Sequence, residues 1–141
     1  MLSLLAPGKP ALDGELSDWL RAHDEVLYFS AVSVAEVQQG ICKLARSGGR
    51  ERADRLTAWL DAVIEGVGDR ILPVDAEVGR LAGMLSDKAL AVGRHPGFAD
   101  VAVAATAMAH GLVLLTCNGR HFAPLGIDFV DPLKTLPPSA G

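Results

Sequence analysis

Cysteine is scarce: the chain carries two, Cys42 and Cys117, with no C-x-x-C and no spaced framework. That leaves no basis for a disulfide-stapled secreted scaffold and matches a reducing cytoplasm. A basic excess is missing as well. Net charge is −4, so no electropositive stripe announces nucleic acid. A local basic rim or a bound cation can still offset acidic groups, which keeps nucleic acid open as a partner. The one membrane candidate, the uncharged run from Val101 to Cys117, falls short of the roughly 20 residues a span needs. It is also interrupted at His110-Gly111. Met1 to Ala11 lacks the basic and apolar regions of a secretory signal. The expectation is a soluble cytoplasmic protein with no membrane partner.

Several chemistries have no foothold. His23, His95, His110 and His121 show no H-x-x-x-H or Cys/His spacing, which argues against zinc. There is no G-x-x-x-x-G-K-[ST], no G-x-G-x-x-G and no G-x-S-x-G, so nucleotide-dependent and serine-hydrolase readings are unsupported.

What is present is apolar bulk. Half of the 141 residues are hydrophobic. A chain of this length suits one domain and buries on the order of 68% of its unfolded surface without metal or disulfide. The pattern predicts a helix from Asp13 to about His23, a strand at Val26–Ser30, and a helix opened by Ser33. A charged amphipathic helix follows at Arg50–Glu65, then a strand at Ile71–Val74 and a helix capped by Asp75. An alanine-rich helix begins after Gly97 and stops at Gly111, and strands are expected at Leu112–Thr116 and Ile127–Val130, with a turn at 119–125 between them. Strands alternating with helices predict an α/β fold, a mostly parallel sheet with helices on both faces. The apolar side of Arg50–Glu65, with Leu56, Trp59, Leu60 and Val63, either packs on that sheet or stays open as a groove for a partner.

Three oxygen-bearing side chains stand out. Glu36 follows Ser33 by three residues, the spacing of a capping box, yet it is equally placed to be a metal-ligand carboxylate after a strand. Asp100 sits in the first turn of its helix, where an acid gains from the dipole or serves as a ligand. Asn118 follows a strand, as a turn residue or a site residue. All three fall at strand-end or helix-start junctions, the edge where α/β sites form. Oxygen ligands from separate elements suit Mg²⁺ or Mn²⁺. His121 is read either as a surface turn residue or as a phosphate contact. Asp128 and Asp131 match no ligand pattern.

The segments S-A-V-S-V-A-E-V-Q-Q-G-I, F-A-D-V-A-V-A-A-T-A-M-A-H-G and L-L-T-C-N-G-R-H-F resemble, in order and spacing, the PIN-domain ribonucleases, and most of all the VapC- and FitB-type toxins of bacterial toxin–antitoxin pairs. The resemblance implies a three-layer α/β/α sandwich over residues 1–132 with a flexible tail at 133–141. It implies Mg²⁺- or Mn²⁺-dependent RNA cleavage with Glu36, Asp100 and Asn118 as catalytic residues, of which Glu36 and Asp100 hold metal. It also implies a cognate antitoxin and a homodimer. Chains of the family open with a strand ending in D-T-N, and Met1–Leu5 looks like the segment after it. The first strand and its aspartate are therefore expected to be missing, through a late start assignment or a shortened gene, and activity is expected to be weak or nil. The alternatives are a non-catalytic module of the same fold that binds protein or RNA, and an unrelated α/β domain whose acids are caps.

Overall fold

The computed structural model describes residues 14–117, 119–135 and 137. The expected missing first strand and the candidate Asn118 lie outside the described residues. Helix α1 (Gly14–Ala22) buries Leu16 and Leu20, the apolar positions at i and i+4. A 3-10 turn, Asp24–Val26, leads into strand β1 (Phe29–Ser30). Helices α2 (Ala31–Arg46) and α3 (Arg50–Val67) then carry the chain back to β2 (Ile71–Leu72). β2 runs parallel to β1, with Phe29 opposite Ile71. Helices α4 (Ala76–Ala91) and α5 (Phe98–Ala109) precede β3 (Leu114–Leu115), and the short helix α6 (Gly119–Phe122) precedes β4 (Phe129–Val130). β4 is parallel to β3, with Leu114 opposite Phe129.

The architecture is α/β with parallel strands, as the alternating pattern predicts. The pairing differs in extent. Among the described residues the strands form two separate two-stranded sheets, β1-β2 and β3-β4, and each strand is two residues long. Helix packing, more than ladder hydrogen bonds, therefore holds the domain together. The larger core joins α4, α5, β3 and α6 through Val78, Ala82, Leu85, Val101, Ala104, Ala105, Leu114 and Phe122. Ala82 and Ala89 on α4 face an α5 whose Ala102, Ala104 and Ala105 are wholly buried, and such small side chains let two helix axes approach closely.

The second core lies between α2 and α3. Ile41, Ala53 and Leu60 are buried there, with Leu56, Trp59 and Val63 half-buried against them. The apolar side of α3 thus packs mainly on α2, with Phe29 of β1 against the same cluster, and leaves Leu56, Trp59 and Val63 partly exposed. Arg70 ties the two ends of this half together. Its guanidinium donates to the backbone carbonyls of Asp24 and Leu27, the latter at 3.0 Å.

Two local rules decide helix boundaries differently from the simplest reading. α2 begins before Ser33: Ser30 is the N-cap, its Oγ accepting the Val32 N–H at 3.1 Å. Residues 119–122 wind into a helical turn because Phe122 is pulled into the larger core. Elsewhere the chemistry is as expected. Asp75 caps α4 by accepting from Val78 N–H at 3.0 Å, and Gly111 ends α5 in the left-handed region, φ 63°.

Candidate active site

Asp100 is placed by the way α5 starts. Gly97 is its N-cap and has no side chain to satisfy the first-turn N–H groups. An acid three residues in is favoured there by the partial positive charge of the helix start. The following residues, Val101 and Ala102, are fully buried, so α5 is anchored at this turn while Asp100 keeps a side-chain exposure of 30%.

Helix α6 brings His121 to the same place. Phe122 is buried in the larger core, and Gly119 lies flat against Phe129 of β4. A Cβ at position 119 would come within 2.3 Å of the Phe129 ring, so this close approach requires glycine. Held at both ends, α6 sets His121 Nδ1 at 3.1 Å from Asp100 Oδ2. With the proton on Nδ1, the ring donates to the carboxylate. From its sequence position His121 is equally a turn residue or a phosphate contact; its pairing with Asp100 emerges only in the structure. The only signal for the pairing was its position three residues after Asn118, beside the strand end.

A second polar pair lies at the C-terminal ends of β3 and β4. Burial pushes the Cys117 thiol above its ordinary range, and the negative charge of Asp131 and a hydrogen bond to that carboxylate push it further. Asp131 is itself well covered and accepts the Leu133 N–H at 3.0 Å, while Lys134 Nζ stands 3.8 Å from its other oxygen. Cys117 is thus a protonated thiol beside a carboxylate, a poor nucleophile and a poor metal ligand at neutral pH.

Glu36 lies in the second turn of α2, exposed to solvent. Since Ser30 is the cap and Ser33 lies inside the helix, the capping-box reading of Ser33 and Glu36 is overturned. α2 packs against α5, the helix that carries Asp100. Among the described residues, however, no three His, Cys, Asp or Glu side chains gather closely enough to hold a metal ion. The structure therefore brings Asp100 to His121. It does not add Glu36 to them as a third donor, and Asn118 lies outside the described residues. The Asp100–His121 pair is a solvent-reaching hydrogen bond that supplies one anionic oxygen and, among the described residues, no complete donor set for a divalent cation.

Comparison with known proteins places the chain among relatives. Residues 8–126 match the PIN domain. The chain is 33% identical over 108 residues to VapC ribonuclease Y4jK of Sinorhizobium fredii, covering 77% of this chain and 76% of that protein. It is 27% identical over 128 residues to the plasmid stability protein StbB of Pseudomonas syringae pv. tomato, covering 89% and 90%. Among solved structures it is similar to FitAcB from Neisseria gonorrhoeae, with TM-score 0.70, 25% identity, and 91% and 89% of the two chains covered. It also shares the fold of VapBC-1 from nontypeable Haemophilus influenzae, at TM-score 0.60 and 19% identity over 77% and 75%. On the match to most of its length and the identity to a VapC ribonuclease, the chain belongs to the PIN-domain family, in its VapC- and FitB-like branch.

Proposed function

We propose that this chain is the toxin of a type II toxin–antitoxin pair, an endoribonuclease that hydrolyses RNA phosphodiester bonds with the help of Mg²⁺ or Mn²⁺. The observation that carries this reading is Asp100, a carboxylate fixed in the first turn of α5 with His121 against it. It stands on a chain whose relatives include a VapC ribonuclease. A bound divalent ion would supply a water of lowered pKa and would offset the charge that builds on the phosphate.

The chain's own groups do the rest. Asp100 is the anionic anchor. Glu36 and Asn118 are proposed to complete the donor set around it. The uncapped N–H groups at the start of α5 present positive partial charge toward an incoming phosphate. Arg120 on α6 lies beside His121 and is exposed, so it adds a positive charge to the same rim. The fold acts as one domain over residues 1–132, as a homodimer, in the cytoplasm. Among the described residues no helix is long and apolar enough to cross a membrane. A cognate antitoxin is the partner, in line with the FitAB and VapBC assemblies among the similar structures.

The lack of a three-donor cluster among the described residues favours one second reading, a non-catalytic PIN module that binds RNA or a protein partner. One experiment separates the two. The purified chain is incubated with single-stranded RNA and Mg²⁺ or Mn²⁺, with and without EDTA, beside Asp100→Asn. EDTA-sensitive cleavage that Asp100→Asn removes supports the nuclease. RNA retention without any cleavage under either ion supports the binding module.

A further inference from the structure

We propose that Phe98, with Arg94 on the loop before it, is a stacking platform for an unpaired base of single-stranded RNA. The proposal rests on the ribonuclease reading and deepens it, naming the form of the RNA and the side chain that receives it.

Phe98 is exposed where its helical position would bury it. It opens α5 on the same stripe as Val101, Ala102 and Ala105, which follow at i+3, i+4 and i+7. Those three are fully buried, yet Phe98 is 69% exposed. The stripe overruns the core by one residue, and that residue is aromatic. Single exposed apolar side chains are ordinary, so the surroundings decide what this one does.

Those surroundings are the start of α5. Asp100 lies in the same turn, about 3 Å further along the helix axis. Helical side chains lean toward the N-terminus, which carries the ring out over the helix start. The N-cap there, Gly97, has no side chain to occupy the first N–H groups. The loop behind the ring is fixed at both ends. Gly93 turns it with φ 77°, Arg94 N–H donates to the Ala89 carbonyl at 2.9 Å, and Val101 N–H donates to Gly97 at 3.1 Å. A ring on a fixed junction loses little freedom when a base covers it.

Charge selects the occupant. The chain carries a net −4, yet residues 92–97 and 119–122, which flank Phe98 and lead to Asp100, hold two arginines, two histidines and no acid. Arg94, His95 and Arg120 are exposed. Neither arginine has an ion-pair partner among the described residues. An open aromatic face beside unpaired guanidinium groups matches flat bases strung on phosphates. A duplex hides its base faces in the stack, so the fit is to unpaired RNA. An apolar protein segment would use the ring and leave the cations without partners.

The test reads binding in EDTA, where no cleavage intervenes. Fluorescence anisotropy compares three labelled probes of one length on the full chain: an unstructured single-stranded RNA, an abasic ribose-phosphate strand and duplex RNA. The parent chain should bind the single strand more tightly than either of the others. Phe98→Ala should weaken the single strand by about five- to 100-fold and erase its advantage over the abasic strand, while Phe98→Trp keeps both. Arg94→Ala should weaken base-bearing and abasic strands alike and flatten the log–log salt slope by about 0.7. Should Phe98→Ala unfold, Phe98→Leu, apolar but without a ring, must show the same loss. Unchanged single-strand binding in these variants, equal loss of both strands, or a parent chain that prefers duplex or binds no strand overturns the platform. Loss of self-association in sedimentation with RNA binding unchanged would assign Phe98 to a protein contact and overturn it too. EDTA-sensitive cleavage with no effect at Phe98 leaves the ribonuclease reading standing alone. Base-selective binding through Phe98 in a chain that cuts no RNA in Mg²⁺ or Mn²⁺ keeps the platform and removes the nuclease.

Discussion

His121 Nδ1 lies 3.1 Å from Asp100 Oδ2, although 21 residues separate them in the chain. The contact is made by two short pieces of backbone that differ in kind. Asp100 is presented by the first turn of a twelve-residue helix, His121 by a four-residue turn after strand β3. What brings them together is the core beneath, where Val101 and Phe122 belong to one cluster.

The packing of Gly119 on Phe129 leads to a stability prediction. Gly119→Ala places a methyl group 2.3 Å from a ring carbon, so either α6 or Phe129 must move. Overpacking of this kind costs roughly 1–3 kcal/mol. Urea unfolding should show that loss, and the Asp100–His121 contact should loosen with it, seen as altered His121 proton chemical shifts. An unchanged midpoint together with unchanged His121 shifts would show that the close approach is not needed.

The clamp at Arg70 gives a second. Its guanidinium donates to the carbonyls of Asp24 and Leu27, and it is largely covered by the chain. Arg70→Ala leaves the partly buried Leu27 carbonyl without this donor, at about 1–3 kcal/mol, while the exposed Asp24 carbonyl keeps the Leu27 N–H. Arg70→Lys should recover little, because a single ammonium cannot reproduce the planar fork. The midpoints of the three proteins in urea check the order.

Much of this was legible in the sequence, and the rest failed for identifiable reasons. Asp75 as a cap, Gly111 as a stop and the 3.6-residue spacing of Leu16 and Leu20 are local effects, and each stands where residue chemistry puts it. The first turn of α2 was misplaced because Ser30 and Ser33 both offer a capping hydroxyl. The choice between them depends on where β1 ends, which is set by pairing with Ile71 and Leu72 far along the chain. The short helix at 119–122 was invisible for a similar reason, since Phe122 supplies a burial that no periodicity announces over four residues. The position of Asp100 followed from helix-start logic. Its partner His121 did not, because the contact depends on the tertiary seat of α6.

Cys117 gives a prediction about reactivity and pH. Burial and the Asp131 carboxylate both raise its thiol, so the folded state favours the protonated form. Iodoacetamide should therefore label Cys117 slowly at pH 8, with a rate that keeps rising into a more alkaline range than for a free cysteine. Asp131→Asn removes the negative charge, lowers the thiol and should speed labelling at fixed pH. The linkage has a definite sign. A group raised in the folded state stabilises it below the unfolded value of about 8.5, and that contribution fades as pH climbs through the folded value. Mass-spectrometric labelling rates from pH 7 to 10 test both halves. Unchanged labelling in Asp131→Asn would show that the carboxylate does not act on the thiol.

Asp100→Asn is the decisive change for activity, because it separates charge from fold. The substitution keeps the shape of the side chain and still lets its oxygen accept from His121. The charge at the helix start contributes about 0.3–1 kcal/mol to stability, so thermal unfolding should shift by only a few degrees. The effect on chemistry should be far larger. The carboxylate is the anionic anchor proposed for the ion, and every ~1.4 kcal/mol of lost transition-state stabilisation slows the step tenfold. Cleavage of single-stranded RNA in Mn²⁺ is expected to fall by about 100-fold or more while the far-ultraviolet spectrum and the unfolding midpoint stay near those of the parent chain. Glu36→Gln provides the comparison: an equal loss places Glu36 in the donor set, and unchanged cleavage removes it. Retained cleavage in Asp100→Asn, with the fold intact, would place the reacting phosphate elsewhere on the molecule.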